Sequence, residues 1–157
     1  MDIRGFVDAD WVGDLDQIRS TSGYAFSLFG GAVSWMSKIQ SIVSLSTTGA
    51  EYMAATHASK EEIWLQRLCS SMGLVQQAIR IDCDSQSAIF LSKNPAYHSK
   101  TKHIDVQYHF VRYMVEAKRV LLVKVDTLKN VADALTKFVS TQKFSWCREI
   151  MGVAKLG

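Results

Sequence analysis

Residues 3–10, with the sequence IRGFVDAD, place a carboxylate inside an apolar run that reads as a short β-strand. Asp8 and Asp10 share one face of this strand, because side chains of a strand alternate between its two faces. Asp8 is flanked by Val7 and Ala9. A charge in such surroundings is costly unless it is paired or bound to a metal. The first strand therefore predicts a functional acid as well as a place in a sheet.

The rest of the sequence predicts alternating strands and helices. Gly30 and Gly31 stand between apolar runs, which is typical of a tight hairpin. Apolar residues at three- and four-residue steps predict a long helix that Gly73 ends, and Pro95 ends a shorter one. The predicted elements are a strand over 3–10, a connection over 14–23, strands over 24–29 and 32–36, a further strand or a helix approach over 42–45, a helix over 48–72, a strand over 79–83, a helix over 85–93, a basic loop over 98–103, a helix over 105–118, a strand over 120–125, and helix from 130 to 151 with a break near 139.

This order of elements predicts the α/β class. An antiparallel meander followed by strand–helix alternation implies a mixed sheet with helices on its faces. The length of 157 residues suits a single domain over 1–157, since a chain of this size can bury a substantial core.

Composition excludes several classes of protein. Hydrophobic residues make up 48% of the chain and charged residues 21%, which excludes a disordered, collagen-like or coiled-coil protein. The three cysteines are scattered and form no zinc-binding pattern.

Residues 1–4 (MDIR) lack the apolar core of a signal peptide, and no stretch is long enough for a membrane span. We expect a soluble protein of the cytoplasm or nucleus that is not secreted. Its net charge of +3 permits an anionic partner without requiring one.

Four acids stand where apolar elements begin or end. Asp8 lies in the first strand, Glu51 opens the long helix, Asp84 ends the fourth strand, and Asp133 lies in the first turn of the last helical segment. If the strands lie side by side, these acids can converge at one edge of the sheet. Their mutual repulsion would then require a cation, and oxygen ligands suit Mg²⁺. Two such ions could activate a water and stabilise the leaving oxygen of a phosphodiester.

Each acid also has a purely structural interpretation, which is the better one for any single acid. Glu51 fits a capping box with Thr48, and Asp84 could cap the next helix. Asp133 suits the first turn because of the helix dipole. Asp8 is the acid that structure explains least. The four acids in this order of elements favour a shared site.

The sequence resembles the ribonuclease H domain of Ty1/copia-type LTR retrotransposon polyproteins, over about residues 5–153. The matching stretches are 5–14 (GFVDADWVGD), 19–24 (RSTSGY), 34–38 (SWMSK), 45–52 (LSTTGAEY), 83–89 (CDSQSAI), 93–95 (KNP), 98–105 (HSKTKHID), 108–110 (YHF) and 132–137 (ADALTK). The sequence departs from the family pattern at Gly49, Ser85 and Phe138, where the family has Glu, Asn and Pro. None of these changes removes a proposed metal ligand, although Gly49 would loosen the start of the helix.

The resemblance implies a ribonuclease H-like fold, with a five-stranded mixed sheet whose first three strands are antiparallel and with helices on both faces. It also implies an Asp-Glu-Asp-Asp set that binds two Mg²⁺ or Mn²⁺ ions. By motif, this set carries over to Asp8, Glu51, Asp84 and Asp133, with Asp10 as the fallback for the first position. These are the four acids that the order of elements had already singled out.

The implied substrate is the RNA strand of an RNA–DNA hybrid. Phosphate contacts would come from lysines, and selectivity for RNA from contacts to 2′-hydroxyl groups. The candidate substrate-binding residues are Trp11, Trp35, Lys38, Gln86, Lys93, Lys100, Lys102 and His103. Surface lysines are more often simply solvated. The loop 126–130 lacks the histidine that often assists catalysis in ribonucleases H, so His98 or His103 is the candidate substitute. A capping or packing role for His103 beside Asp105 is the more ordinary interpretation.

Three functions remain open from the sequence. The leading one is a metal-dependent endonuclease, a ribonuclease H, that acts as a monomer and whose possible partner is a reverse transcriptase domain of the same polyprotein. The alternative is a non-catalytic, domesticated module that binds nucleic acid or protein on the same fold. An exonuclease or integrase-like activity is the most remote of the three.

Overall fold

The sheet has five strands in the order β3-β2-β1-β4-β5. The computed structural model describes residues 3–74, 78–94 and 109–154. Its strands are β1 (Ile3–Asp14), β2 (Arg19–Leu28), β3 (Gly31–Ile39), β4 (Ile79–Cys83) and β5 (Val120–Lys124). β1 pairs antiparallel with β2 and parallel with β4, β2 pairs antiparallel with β3, and β4 pairs parallel with β5. The predicted mixed sheet with three antiparallel strands first is confirmed.

Helices cover both faces of the sheet. The described helices are α1 (Thr47–Ser71), α2 (Gln86–Lys93), α3 (Phe110–Glu116), α4 (Asp133–Thr136) and α5 (Thr141–Ile150). The main core packs α1, α2 and α3 against one face, with Val7, Phe26, Met53 and Ile81 fully buried within it. On the other face a smaller core joins Phe6 to the α4–α5 region. None of the helices among the described residues is long and apolar enough to cross a membrane.

The first hairpin is longer than the sequence predicts. β1 continues to Asp14 and β2 already begins at Arg19, so most of the predicted connection over 14–23 belongs to β2. The ladder shifts its register between Asp10 and Asp14, and Val12 has a φ of 54°. This irregular pairing is set by the partner strand, and a local pattern of polar residues does not reveal it.

The second hairpin turns one residue earlier than its glycines suggest. Phe29 and Gly30, with φ values of 52° and 80°, form the two-residue turn, and Gly31 is already the first residue of β3. Positive φ at both positions matches the twist of the strands. The predicted hairpin is confirmed, with Phe29 in a conformation that glycine or asparagine would favour.

Most of the remaining boundaries agree with the sequence where the structure describes them, although β3 continues to Ile39 instead of ending at Met36. Residues 42–45 form no strand and lead into α1, as one of the two interpretations expected. The predicted helix over 105–118 is present as α3, while its residues 105–108 and the basic loop over 98–103 lie outside the described residues. The break near Val139 separates α4 from α5. The last helical segment begins at Asp133 and not at Asn130, because the Asn130 backbone is extended where it ends the 3₁₀ turn over Thr127–Lys129.

Candidate metal centre

The pairing of β1 with β4 brings two of the predicted acids together. Val7 is the register partner of Cys83 in this parallel ladder, so that Asp8 and Asp84 follow at the same edge of the sheet. Asp8 is 1% exposed. Asp84 is half-buried immediately after the last residue of β4. In open α/β sheets, functional sites commonly lie at the carboxyl ends of neighbouring parallel strands.

Helix α4 adds the third acid because Gly23 lets it approach the sheet. Gly23 is the partner of Asp8 in β2. A Cβ atom at Gly23 would lie 2.7 Å from Thr136 Cγ2 and 3.0 Å from Leu135 Cβ, which is closer than packed carbon atoms approach. A residue with a side chain would therefore hold α4 away from β2. With glycine there, the first residue of α4, Asp133, is buried beside the sheet.

Three carboxylates consequently form one cluster. Asp8, Asp84 and Asp133 each offer an oxygen, and these oxygens all lie within 4.8 Å of one another. Burial raises the pKa of Asp8 to about 6, with smaller contributions from the charges of Asp133 and Asp84. Like charges at this distance repel strongly, and a bound cation relieves the repulsion.

Glu51 lies beside this cluster on α1. Burial, together with the charges of Asp8 and Asp84, raises the pKa of Glu51 to about 9. Its Oε2 atom is buried and has no hydrogen-bond partner among the described residues. A buried carboxylate oxygen without a partner is rare in folded proteins and requires an explanation. A role of this Glu51 oxygen as a metal ligand would supply the explanation.

The capping interpretations do not account for Glu51 and Asp84. The N-cap of α1 is Ser46, whose hydroxyl accepts a hydrogen bond from the Gly49 amide. The N-cap of α2 is Ser85, whose hydroxyl accepts from the Ala88 amide. Neither acid is needed to begin its helix, so the structural alternative is wrong for both.

Two cationic side chains contact the acids, and the sequence analysis missed both as site residues. The Lys137 ammonium lies 3.3 Å from Asp8 Oδ2 and 3.1 Å from Asp133 Oδ1. Lys143 Nζ lies 3.7 Å from Asp133 Oδ2. The spacing of four residues between Asp133 and Lys137 on a helix is a signal that could have identified this pair. The acids raise the pKa of Lys137 against the opposing effect of burial.

Two neutral side chains hold the acids in position, and the sequence analysis missed these as well. The Thr136 hydroxyl donates a hydrogen bond to Asp8. The fully buried Asn130 amide donates to the Val7 carbonyl at 2.9 Å and to Asp84 Oδ1 at 3.3 Å. The Asn130 side-chain oxygen accepts from the Ala132 amide. No local pattern marks Asn130 as a site residue, since the two partners of its amide nitrogen, Val7 and Asp84, lie far away in the sequence.

The donor set fits a hard divalent cation. It consists of carboxylate oxygens, without sulfur or imidazole ligands among the described residues of the cluster. Mg²⁺ and Mn²⁺ take such ligands and complete their coordination with water and phosphate oxygens. The orphaned Glu51 oxygen is an independent sign that the site has room for a further interaction.

The fallback acid lies outside the cluster. Asp10 is on the same face of β1 as Asp8 but is not one of the three clustered acids. With Asp14 and Phe138, it lines a neighbouring cavity of about 800 Å³ to which Lys137 also contributes.

The predicted substrate-binding residues are spread over both faces of the sheet. Trp35 pairs with Ala25, in line with Phe6 of β1, so it lies on the α4 face and is 64% exposed. Lys38 pairs with Ser22, in line with Ala9, so it lies on the α1 face. The structure therefore does not bring Trp35 and Lys38 together.

The other candidates fall into three groups. Trp11 is half-exposed and its indole donates to the Ser44 carbonyl before α1. Gln86 and Lys93 are exposed at the two ends of α2, which places Gln86 two residues after Asp84. The remaining candidates lie outside the described residues: His98, Lys100, Lys102 and His103.

Comparisons with known proteins agree with this picture. No protein-family model matches the sequence. The chain is 51% identical over 151 residues to the retrovirus-related Pol polyprotein from transposon TNT 1-94 of Nicotiana tabacum, which covers 96% of this chain and 11% of the polyprotein. It is 36% identical over 157 residues to the Pol polyprotein from transposon RE1 of Arabidopsis thaliana, which covers 99% of this chain and 11% of that relative. The chain thus spans about a tenth of the length of these relatives.

A solved structure has the same fold. The N-terminal RNase H domain of Rv2228c from Mycobacterium tuberculosis matches with a TM-score of 0.58 at 13% identity, over 87% of this chain and 96% of that chain. At this identity the match concerns the fold alone. Over nearly its whole length the chain is therefore homologous to part of the Pol polyproteins of Ty1/copia-type retrotransposons, and its fold is that of a ribonuclease H domain.

Proposed function

We propose that this chain is a metal-dependent endonuclease that hydrolyses the RNA strand of RNA–DNA hybrids. The observation that carries the proposal is the cluster of Asp8, Asp84 and Asp133, whose oxygens lie within 4.8 Å of one another at one edge of the sheet. The unpartnered Glu51 oxygen beside this cluster supports it. The homology to Pol polyproteins makes such a role reasonable, because copying an RNA template leaves a hybrid whose RNA must be removed.

The four acids would hold two Mg²⁺ or Mn²⁺ ions. When bound, such a pair supplies an activated water on one side of the phosphodiester and stabilises the leaving oxygen on the other. The chain itself orients the ligands: Asn130 and Thr136 fix the carboxylates of Asp84 and Asp8 by hydrogen bonds. Attack of water on the phosphorus, with cleavage of the bond between the phosphorus and the 3′ oxygen, would leave a 3′-hydroxyl and a 5′-phosphate.

The substrate would lie across the exposed surface around the acids. Gln86 is exposed just after Asp84, where its amide could bond a 2′-hydroxyl group. Lys38 and Lys93 are exposed and suited to phosphate contacts, with Lys102 and His103 proposed for the same role. Trp11 and Trp35 offer aromatic surface for sugar or base contacts, and Trp35, on the α4 face, would contact a different part of the substrate from Lys38 on the α1 face.

The wider setting is also a proposal. We infer that the domain works as a monomer, in the cytoplasm or nucleus, next to a reverse transcriptase domain of the same polyprotein. The homologous Pol polyproteins are about nine times longer than this chain, which leaves ample room for such a partner.

The test is cleavage of a hybrid with labelled RNA in the presence of Mg²⁺ or Mn²⁺. We expect cuts within the RNA strand of the hybrid, and none in single-stranded RNA, double-stranded RNA or double-stranded DNA of the same sequence. The variant Asp84→Asn should be inactive, because the amide removes a charged ligand while keeping the shape of the side chain. Digestion products should carry 5′-phosphates.

The controls separate the competing functions. A folded wild-type protein that binds the hybrid but cuts it with neither metal would support the non-catalytic module instead. Stepwise removal of nucleotides from an end would indicate an exonuclease. Equal cleavage by wild type and Asp84→Asn would show that the reaction occurs elsewhere.

A further inference from the structure

Lys137 places a positive charge inside the cluster of acids. Its ammonium lies 3.3 Å from Asp8 Oδ2 and 3.1 Å from Asp133 Oδ1, so that it bridges two of the three clustered carboxylates. The Lys137 side chain is 35% exposed, whereas those of Asp8 and Asp133 are 1% and 7% exposed. The ammonium therefore enters the buried cluster from its open side.

Lys143, the other cation nearby, is held differently. Its ammonium lies farther from Asp133, at 3.7 Å, and also donates to the carbonyls of Thr127 and Leu128. It lies 4.6 Å from the centre of the Trp146 ring as well. Lys143 has anchors outside the acid cluster, whereas the polar contacts of the Lys137 ammonium among the described residues are to the two acids.

A divalent cation and the Lys137 ammonium would compete for these oxygens. A metal held by Asp8 and Asp133 would lie within a few ångströms of the ammonium, and two cations at that distance repel. The Lys137 side chain can move into the adjacent cavity of about 800 Å³, because Lys137 is one of the residues that line it. Moving the ammonium into this cavity would free both oxygens.

We propose that Lys137 is a resident counter-cation of the acid cluster, which neutralises Asp8 and Asp133 in the metal-free protein and is displaced when a metal binds. The inference rests on the proposed function, since it concerns the same site. Lys137 would act as a positioning residue that keeps the ligands together before the metal arrives. The same ion pairs would weaken metal binding, because each must be broken first.

The test is the dissociation constant of Mn²⁺, measured by calorimetric titration of the full chain. We expect Lys137→Met to bind Mn²⁺ about fivefold more tightly than wild type, as a lost ion pair of about 1 kcal/mol implies. Without metal the same variant should unfold at a lower temperature, and Mn²⁺ should raise its unfolding temperature more than that of wild type. Lys137→Gln is a second neutral variant in case the methionine impairs folding.

Two further variants make the result specific. Lys137→Arg keeps the charge and should leave the affinity near that of wild type. Lys143→Met removes a nearby charge that does not bridge the acids, and should change the affinity much less than Lys137→Met. An equal gain in Mn²⁺ affinity from Lys143→Met would show a general effect of charge. That result would overturn the proposal that the metal displaces Lys137 from the acids.

Failure of this inference differs from failure of the proposed function. If wild type binds Mn²⁺ and Asp84→Asn does not, the metal centre stands. Unchanged or weaker binding by Lys137→Met then overturns the counter-cation role alone. If wild type shows no binding that depends on Asp84, the metal centre fails, and the counter-cation role fails with it.

Discussion

Replacing Asp8 with asparagine is expected to lower the rate of hybrid cleavage at least about a thousandfold. The amide has nearly the shape of the carboxylate but cannot supply the charge that holds a divalent cation, and the stabilisation lost is several kcal/mol. Asp8 is buried in the cluster with Asp84 and Asp133, so no water can take over its role at little cost. The measurement is the single-turnover rate at saturating Mg²⁺.

Asp10→Asn is the matched control for this prediction. Asp10 is two residues away on the same face of β1 and lies outside the cluster. We expect this variant to be slower than wild type but still active, because Asp10 lies next to the cluster but contributes no oxygen to it. An inactive Asp10→Asn together with an active Asp8→Asn would show that Asp10, and not Asp8, is the first metal ligand.

Asn130→Ala is expected to lower the free energy of unfolding by about 2–4 kcal/mol. The fully buried amide joins three segments: it donates to Val7 in β1 and to Asp84 after β4, and it accepts from Ala132 before α4. Alanine would leave the Val7 carbonyl and the Ala132 amide without these partners in the interior. The denaturation midpoint in urea should therefore fall while the slope of the transition is kept.

Asn94→Ala controls for the loss of an asparagine. The Asn94 amide donates one hydrogen bond, to the Phe90 carbonyl at the end of α2, in an exposed position. We expect a change within about 0.5 kcal/mol. Comparable stabilities of the two variants would contradict the role of Asn130 as the link between β1, Asp84 and α4. Slower cleavage by Asn130→Ala is also expected, because Asp84 loses the donor that orients it.

The sequence was a good guide to the fold where the signal is local. The alternation of Ile79, Ile81 and Cys83 predicts β4 with its observed bounds, and the periodic apolar residues of α1 predict that helix to within one residue at each end. The first hairpin was less predictable, because its length depends on the pairing of Asp14 with Arg19 across an irregular ladder. Such pairing is decided by the partner strand.

The same distinction applies to the site. Acids at the ends of elements are visible in a sequence, and the predicted topology explains why they could meet. The residues that hold the acids are less visible, because each is defined by a contact between distant segments. Asn130 reaches Val7 across 123 positions, and Thr136 reaches Asp8 across 128. Gly23 reads as part of a turn-rich stretch, yet its lack of a side chain is what allows α4 to approach β2.

The central claim is that Asp8, Asp84 and Asp133, with Glu51 beside them, form a metal centre. The most direct measurement is anomalous X-ray diffraction from crystals of the wild-type protein grown with Mn²⁺ and an RNA–DNA hybrid. The account predicts anomalous peaks within coordination distance of these carboxylates, with two peaks when the scissile phosphate is in place. Crystals that contain the hybrid and Mn²⁺ but show no anomalous peak at this cluster would contradict it.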